Sequence, residues 1–576
     1  VTSIRVWAPA AEFVRLVLPE EDVALRPLEG GWHGAEVPQA SAGVDYGFRL
    51  DDDERVLPDP RSAWQPHGVH GRSRLVDHRT FEWHDEHWFG RPLAGAVLYE
   101  LHVGTFSPEG TFDGVVSKLP YLQELGVDAI ELLPVAATEG SRTWGYDGVG
   151  LFAVSEPYGG PDGLKRLVDA AHEHGIAVVL DVVYNHLGPS GNYLPDFGPY
   201  LGQGSSPWGQ AVNLDGPDSD EVRRFVLDNA HQWFADYHLD GLRLDAVHAL
   251  VDERATHLLE ELAAETDALS QSLGRPLWLI AESDLNDPKV VRAREAHGYG
   301  ITAQWTDDVH HALHAALTGE RQGYYADFGA LSTLGKALTQ AFVHDGEWSS
   351  FRRRGHGRPI GDLPGERFVV FLQDHDQIGN RATGDRLPAT LSAGRLRVGA
   401  ALLLCSPFTP MLFMGEEWAA STPWQFFADP DSPELAQATR DGRRREFADH
   451  GWAPGDVPDP VDRATFERSR LDWAELVDDG HAEVLAWYRQ LIALRRETPD
   501  LHGPREATSA SFDDDARWFV LRRGALAVVC NLGPDRQRVP VDGTPIEALA
   551  ASSPGFSYAE GIVELEGESV VVARLL

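Results

Sequence analysis

The sequence predicts an α/β fold: a (β/α)8 TIM barrel with a β-domain at each end. Three observations predict it. Apolar runs recur at 96–103, 127–135, 176–183, 241–247, 277–283, 303–308, 368–376 and 410–417. Amphipathic stretches such as 112–125 and 163–174 lie between them, the alternation expected of parallel strands joined by crossover helices. Polar residues gather where the runs end, on the face where such a barrel carries its chemistry. A doubly wound open sheet shares the alternation, but no Gly-x-Gly-x-x-Gly follows any of the runs.

Residues 1–90 alternate in short runs, at 4–7, 13–18, 31–37 and 46–50, with turn residues between them. That spacing predicts an immunoglobulin-like β-sandwich. Within it, 59–91, rich in Pro, His and Trp, reads as a packed connector. The barrel is expected over 91–499, closed by a helix at 482–497. After its third strand, 187–239 reads as a short insertion, helical at 219–237 and otherwise loop. Residues 500–576 return to short strands at 518–521, 525–531 and 569–575, a second β-sandwich. There is no internal repeat.

Composition narrows the function. The chain has 576 residues, 43% of them hydrophobic, enough for several packed domains. No run of eighteen apolar residues is present to span a membrane. The opening Val-Thr-Ser-Ile-Arg-Val-Trp has no basic region leading into an apolar segment, so no secretion signal is expected. The two cysteines, Cys405 and Cys530, are too few for a disulfide framework or a zinc site. Buried thiols in a cytoplasmic protein are the expectation, with the chain acting as a monomer. A net charge of −39 argues against nucleic acid or an anionic membrane as partner. Seventeen tryptophans leave some to stack on sugar rings.

The strand ends carry the chemistry. In an extended strand, side chains two apart share a face, so Arg243 and Asp245 project together. Glu282 ends the next apolar run. Two carboxylates at neighbouring strand ends, one beside an arginine, suit glycoside hydrolysis. The plain alternative is an ion pair beside a solvated glutamate. Further clusters at Asp181…Asn185-His186, Trp305…Asp307-Asp308 and Gln373-Asp374-His375-Asp376 decide against it. Chance does not put five such groups on consecutive units, because buried charges persist only when paired or used.

Asp181…Asn185-His186, Arg243-Leu-Asp245, Glu282 and His375-Asp376 resemble the four signature regions of the α-amylase superfamily, glycoside hydrolase family 13. The resemblance covers the whole chain. Trp144-Gly-Tyr146-Asp147-Gly, Gln304-Trp305-Thr-Asp307-Asp308-Val-His310-His311, Gln373-Asp-His-Asp-Gln-Ile-Gly-Asn380-Arg381, Met414-Gly-Glu416-Glu417-Trp418 and Gly442-Arg-Arg-Arg-Glu446-Phe447 are similar to one branch, the enzymes acting on maltooligosyltrehalose. The stretch Phe371-Leu-Gln-Asp-His-Asp departs from the Asn-His-Asp of many members, without touching the His or Asp.

The resemblance implies a retaining hydrolase with Asp245 as nucleophile, Glu282 as acid/base and Asp376 as transition-state stabiliser. It implies a structural role for Asp181, paired with Arg243, and for Asn185. Tyr146 becomes the stacking platform, with Asp147 beside it, and His186 and His375 donors to sugar hydroxyls. Arg243, His248, Trp305 and Asp308 are also expected to touch substrate, the last two on the leaving-group side. The implied substrates are maltooligosyltrehalose and related α-glucans. Many α-amylases hold calcium by an insertion after the third strand, but 187–239 shows no cage of six to eight oxygens, so no metal and no cofactor are expected. The rivals are a glycogen branching or debranching enzyme, the sixth-strand pattern weighing against branching, and a non-catalytic glycan-binding protein, against which the intact carboxylate trio weighs.

Overall fold

The computed structural model of the chain describes residues 2–206, 209–448 and 456–576. Eight parallel strands close into a barrel in chain order: Leu98–Leu101, Ala129–Leu132, Ala177–Val182, Gly241–Leu244, Trp278–Ala281, Ala303–Trp305, Phe368–Phe371 and Thr409–Phe413. Seven fall within the expected apolar runs, and the eighth begins one residue ahead of its run, at Thr409. Two apolar cores account for this. Leu98, Ala129, Val179, Ile280, Trp305, Val369 and Met411 fill the barrel interior, while the residues alternating with them pack outward against helices.

The helices follow the amphipathic stretches with one break. The expected helix at 112–125 is two, Phe112–Val116 and Leu119–Leu125. Pro120, which has no N–H to donate, sits in the first turn of the second. Helices Gly160–Glu173 and Asp479–Glu497 lie where expected.

At the N-terminus six strands pair in one continuous order, and the strand Asp22–Pro27, unforeseen in the sequence, joins its two halves. It pairs with Val14–Val17 through residues 22–25 and with Trp32–Val37 through Arg26 and Pro27. Only Leu25 of this strand is buried, so it has no apolar alternation to read. The C-terminal region has a five-stranded and a three-stranded sheet. Thr508–Asp513, also unforeseen, buries no residue fully.

The insertion after the third barrel strand holds more than the expected helix. Besides Ser219–Ala235 it contains a ribbon, Leu201–Ser206 with Gly209–Val212, in a glycine-rich stretch without strand patterning. The N-terminal sheet packs on this insertion: Trp7 meets Tyr200 edge-on at 5.1 Å, Phe48 meets Phe197 at 6.2 Å, and Arg55 pairs with Asp196 at 2.7 Å. No described helix is long and apolar enough to cross a membrane.

Candidate active site

The third, fourth and fifth barrel strands build the floor of the site. Asp181 and Arg243 are register partners on adjacent strands, both turned into the barrel. The Arg243 guanidinium is fully buried; its Nη1 donates to Asp181 Oδ1 and Oδ2 at 3.0 and 2.9 Å and to Asp245 Oδ1 at 2.8 Å. Its Nη2 lies 3.0 Å from Glu282 Oε2. One cation therefore ties together carboxyls from three successive strands. After Asp245 the chain turns through Ala246, whose φ of 39° is left-handed and costs about 1–2 kcal/mol. The turn aims the Ala246 N–H at Glu282 Oε2, 2.7 Å away. Asn185 Nδ2 donates to the carbonyl and to Oδ2 of Asp245, both at 2.8 Å.

Burial pushes the Glu282 carboxyl up to about 8; Arg243 opposes this, and the charges of Asp245 and Asp376 add to it. Burial likewise carries Asp181 to about 7 against the pull of Arg243. Asp376, in the first turn of the helix His375–Gly379, keeps a 38% exposed side chain and accepts from Asn380 Nδ2 at 3.1 Å. His375 is buried beside it, its ring stacked on Tyr146 with centroids 5.1 Å apart. The Tyr146 hydroxyl donates to Asp181 Oδ2 at 2.6 Å.

A cavity of about 580 Å³ opens above this floor. Tyr146, Asp147, His186, Asp245, Glu282, His375 and Asp376 line one side; Phe426, Phe427, Leu435, Thr439, Arg443 and Glu446, from the segment after the eighth strand, line the other. The loop carrying Tyr146 passes so close to the second strand's end that a side chain at Gly145 would meet the Pro134 carbonyl at 2.3 Å, at a φ of +101°. Asp147 accepts from Thr143 Oγ1 at 2.6 Å, and burial raises its carboxyl.

Relatives match the chain over its full length. The chain is 56% identical over 577 residues to a malto-oligosyltrehalose trehalohydrolase of Arthrobacter ramosus, covering 99% of each. The chain belongs to the malto-oligosyltrehalose trehalohydrolase family. Relatives of that name from Mycobacterium tuberculosis (52% identical, 99% of each chain) and Saccharolobus solfataricus (44%, 91% of this chain and 90% of the relative) agree. The family model "Alpha amylase, catalytic domain" matches residues 74–197, and a domain family of unknown function matches 504–572. A solved Salmonella typhimurium structure, 38% identical, superposes with a TM-score of 0.91 over 100% of this chain and 97% of that one. An Anoxybacillus pullulanase bound to maltotetraose, 17% identical, shares the fold at a TM-score of 0.71 over 100% and 86%.

Four residues expected at the substrate stand elsewhere in this trehalohydrolase-family site, the first being Arg243, the buried cation under the floor. Trp305 is buried in the barrel core with the Arg243 guanidinium 4.3 Å over its ring, so it supports the cation from below and does not line the cavity. Asp308 is also buried; its Oδ2 accepts from Asn286 Nδ2 at 2.8 Å, Val343 N at 2.7 Å and His344 N at 2.9 Å, which fixes a loop. His248 lies beside the cavity rather than in its lining, its Nδ1 accepting from Asp284 N at 3.3 Å. His186 does line the cavity, with Nδ1 against Asn185 Oδ1 and Nε2 donating to the Tyr146 carbonyl at 2.8 Å.

Glu416 and Glu417, just past the eighth strand, accept from Tyr488 at 2.9 Å and from Tyr121 and Tyr99 at 2.8 and 3.0 Å, a buried brace. Sequence reasoning missed Glu100, which contacts His375 from the first strand; a lone carboxyl inside an apolar run was the available signal. Among the described residues no group of three or more His, Cys, Asp or Glu is placed to hold a metal ion.

Proposed function

We propose that the chain hydrolyses the α-1,4 glucosidic bond next to the terminal α,α-trehalose unit of maltooligosyltrehalose, releasing trehalose and a maltooligosaccharide with retention at the cleaved anomeric carbon. The observation that carries the chemistry is the single guanidinium shared by Asp245 and Glu282. A shared cation keeps the two carboxyls close, in keeping with the separation of about 5–5.5 Å that retention needs rather than the wider gap of inversion. Arg243 and Asn185 hold Asp245 by both oxygens, aligned for attack. Glu282, raised to about 8, carries its proton at neutral pH and donates it to the glycosidic oxygen. After the sugar is joined to Asp245, the Glu282 carboxylate takes a proton from the attacking water. Asp376 holds ring hydroxyls and favours the flattened, cationic sugar.

The leaving trehalose departs past Glu282, because that residue protonates it. On this side Asp284, two residues past Glu282, pairs with Arg352 of the hairpin Trp348–Ser349/Arg354–Gly355. Trp348 and Phe351 on that hairpin are 66% and 53% exposed, flat surfaces for the two glucose rings. Cys405 and Cys530, buried and unpaired, support a reducing, cytoplasmic setting. The test is product analysis with maltotriosyltrehalose, maltopentaose and amylose. Rapid trehalose release with slow attack on the unmodified chains, and an α-configured new reducing end by proton NMR, is expected. New α-1,6 branches in amylose without trehalose would make the function branching instead.

A further inference from the structure

Inside the barrel, one glutamate meets a residue of the site from behind. Glu100, on the first strand and 1% exposed, accepts from both His375 Nδ1 at 2.5 Å and the His375 backbone N–H at 3.0 Å. On the far side of the ring, His375 Nε2 lies 2.8 Å from the Tyr146 hydroxyl. That hydroxyl has one proton and gives it to Asp181, so toward Nε2 it accepts. An ionised Glu100 accepts only, so Nδ1 must donate as well. The hydrogen-bond pattern therefore asks for a proton on both ring nitrogens.

We propose that Glu100 is a positioning residue for the hydrolysis: from the first barrel strand it fixes the ring of His375 and keeps it an imidazolium between Tyr146 and Asp376. The proposal rests on the hydrolase reading above. Asp376 Oδ2 is 3.5 Å from Nε2, so the fixed cation also steadies the carboxylate beside the reacting sugar. Besides Glu100, the titratable groups around the ring are Tyr146, Asp374, Asp376, Glu131, Asp181 and His102. Their balance favours the cation: burial opposes it, yet Asp376, Glu100 and Asp374 carry His375 up to about 10. Glu131, the register partner of Glu100 on the second strand, has no hydrogen-bond partner for either oxygen among the described residues. Burial and then the neighbouring Glu100 push its carboxyl well above the usual carboxylate range.

The experiment compares Glu100→Gln with the unaltered enzyme from pH 5.5 to 8, alongside nitrogen NMR of the His375 ring in the unaltered protein. An imidazole returned to about 6.5 is protonated roughly one part in thirty at pH 8. The variant is expected to run about thirtyfold below the unaltered enzyme there and within about threefold at pH 5.5. In the unaltered protein both ring nitrogens should stay protonated throughout. A loss equal at every pH, no loss at all, or a neutral ring at pH 7 overturns the proposal. The NMR result does not depend on the variant folding or on which bond is cut, so its failure is separate from failure of the trehalohydrolase reading.

Discussion

The floor of the cavity and the proposed trehalose-side hairpin are built on opposite principles. On the floor, Asp181, Arg243, Asp245 and Glu282 sit on or directly after barrel strands, locked by backbone pairing and a shared guanidinium. On the proposed leaving-group side, Trp348 and Phe351 stand on a short hairpin, largely open to solvent and joined through Arg352 to Asp284, two residues past Glu282. Rigid strand ends suit atoms that must be placed closely for bond cleavage, while loops suit recognition. The difference teaches where rate and selectivity should separate.

Substitutions can break that separation. Asp245→Asn should cost the most, about 10⁴-fold or more in kcat, because it removes the proposed nucleophile and leaves the shape. Glu282→Gln should lower kcat by about 10²–10⁴-fold with substrate binding kept, measured by turnover beside calorimetric titration. A general acid must be protonated, so kcat/KM of the unaltered enzyme should fall as pH rises through about 8, and the variant's residual activity should lack that limb. On the hairpin, Trp348→Ala should raise KM for maltotriosyltrehalose roughly tenfold and leave kcat within about twofold, the size of one lost aromatic stacking contact. An equal fall in kcat would place Trp348 with the floor. The smallest effect on kcat/KM belongs to Asp308→Asn. It should cost about 1–3 kcal/mol of stability in urea melts, from three weakened buried hydrogen bonds, with kcat within about threefold. A hundredfold loss of kcat at unchanged stability would return Asp308 to the substrate.

How legible each region was follows the same physics. The barrel could be read because a strand buried on both faces must be apolar and its end must be polar, so Val179, Leu180 and Asp181 mark themselves. Asp22–Pro27 and Thr508–Asp513 were hidden because strands that bury one residue or none have no pattern to show. Within the site, Arg243 and Asp245 were readable from two-residue spacing. Trp305 and Asp308 misled because residue type at a strand end does not reveal direction. Trp305 points into the barrel beneath Arg243, and Asp308 turns back to cap a distant loop. The Glu100–His375 contact joins residues 275 positions apart, and only barrel closure brings the first and seventh strands' ends to one centre.

The N-terminal sheet has a role that its distance from the chemistry conceals. Through Trp7, Phe48 and Arg55 it presses on Tyr200, Phe197 and Asp196 of the insertion, and the start of that insertion, Leu187 to Pro189, is itself part of the cavity wall. A chimera that set this barrel behind another protein's leading sheet would inherit a mismatched seam. Its misfit would surface in which sugars enter, while the carboxylates of the floor stayed where they are.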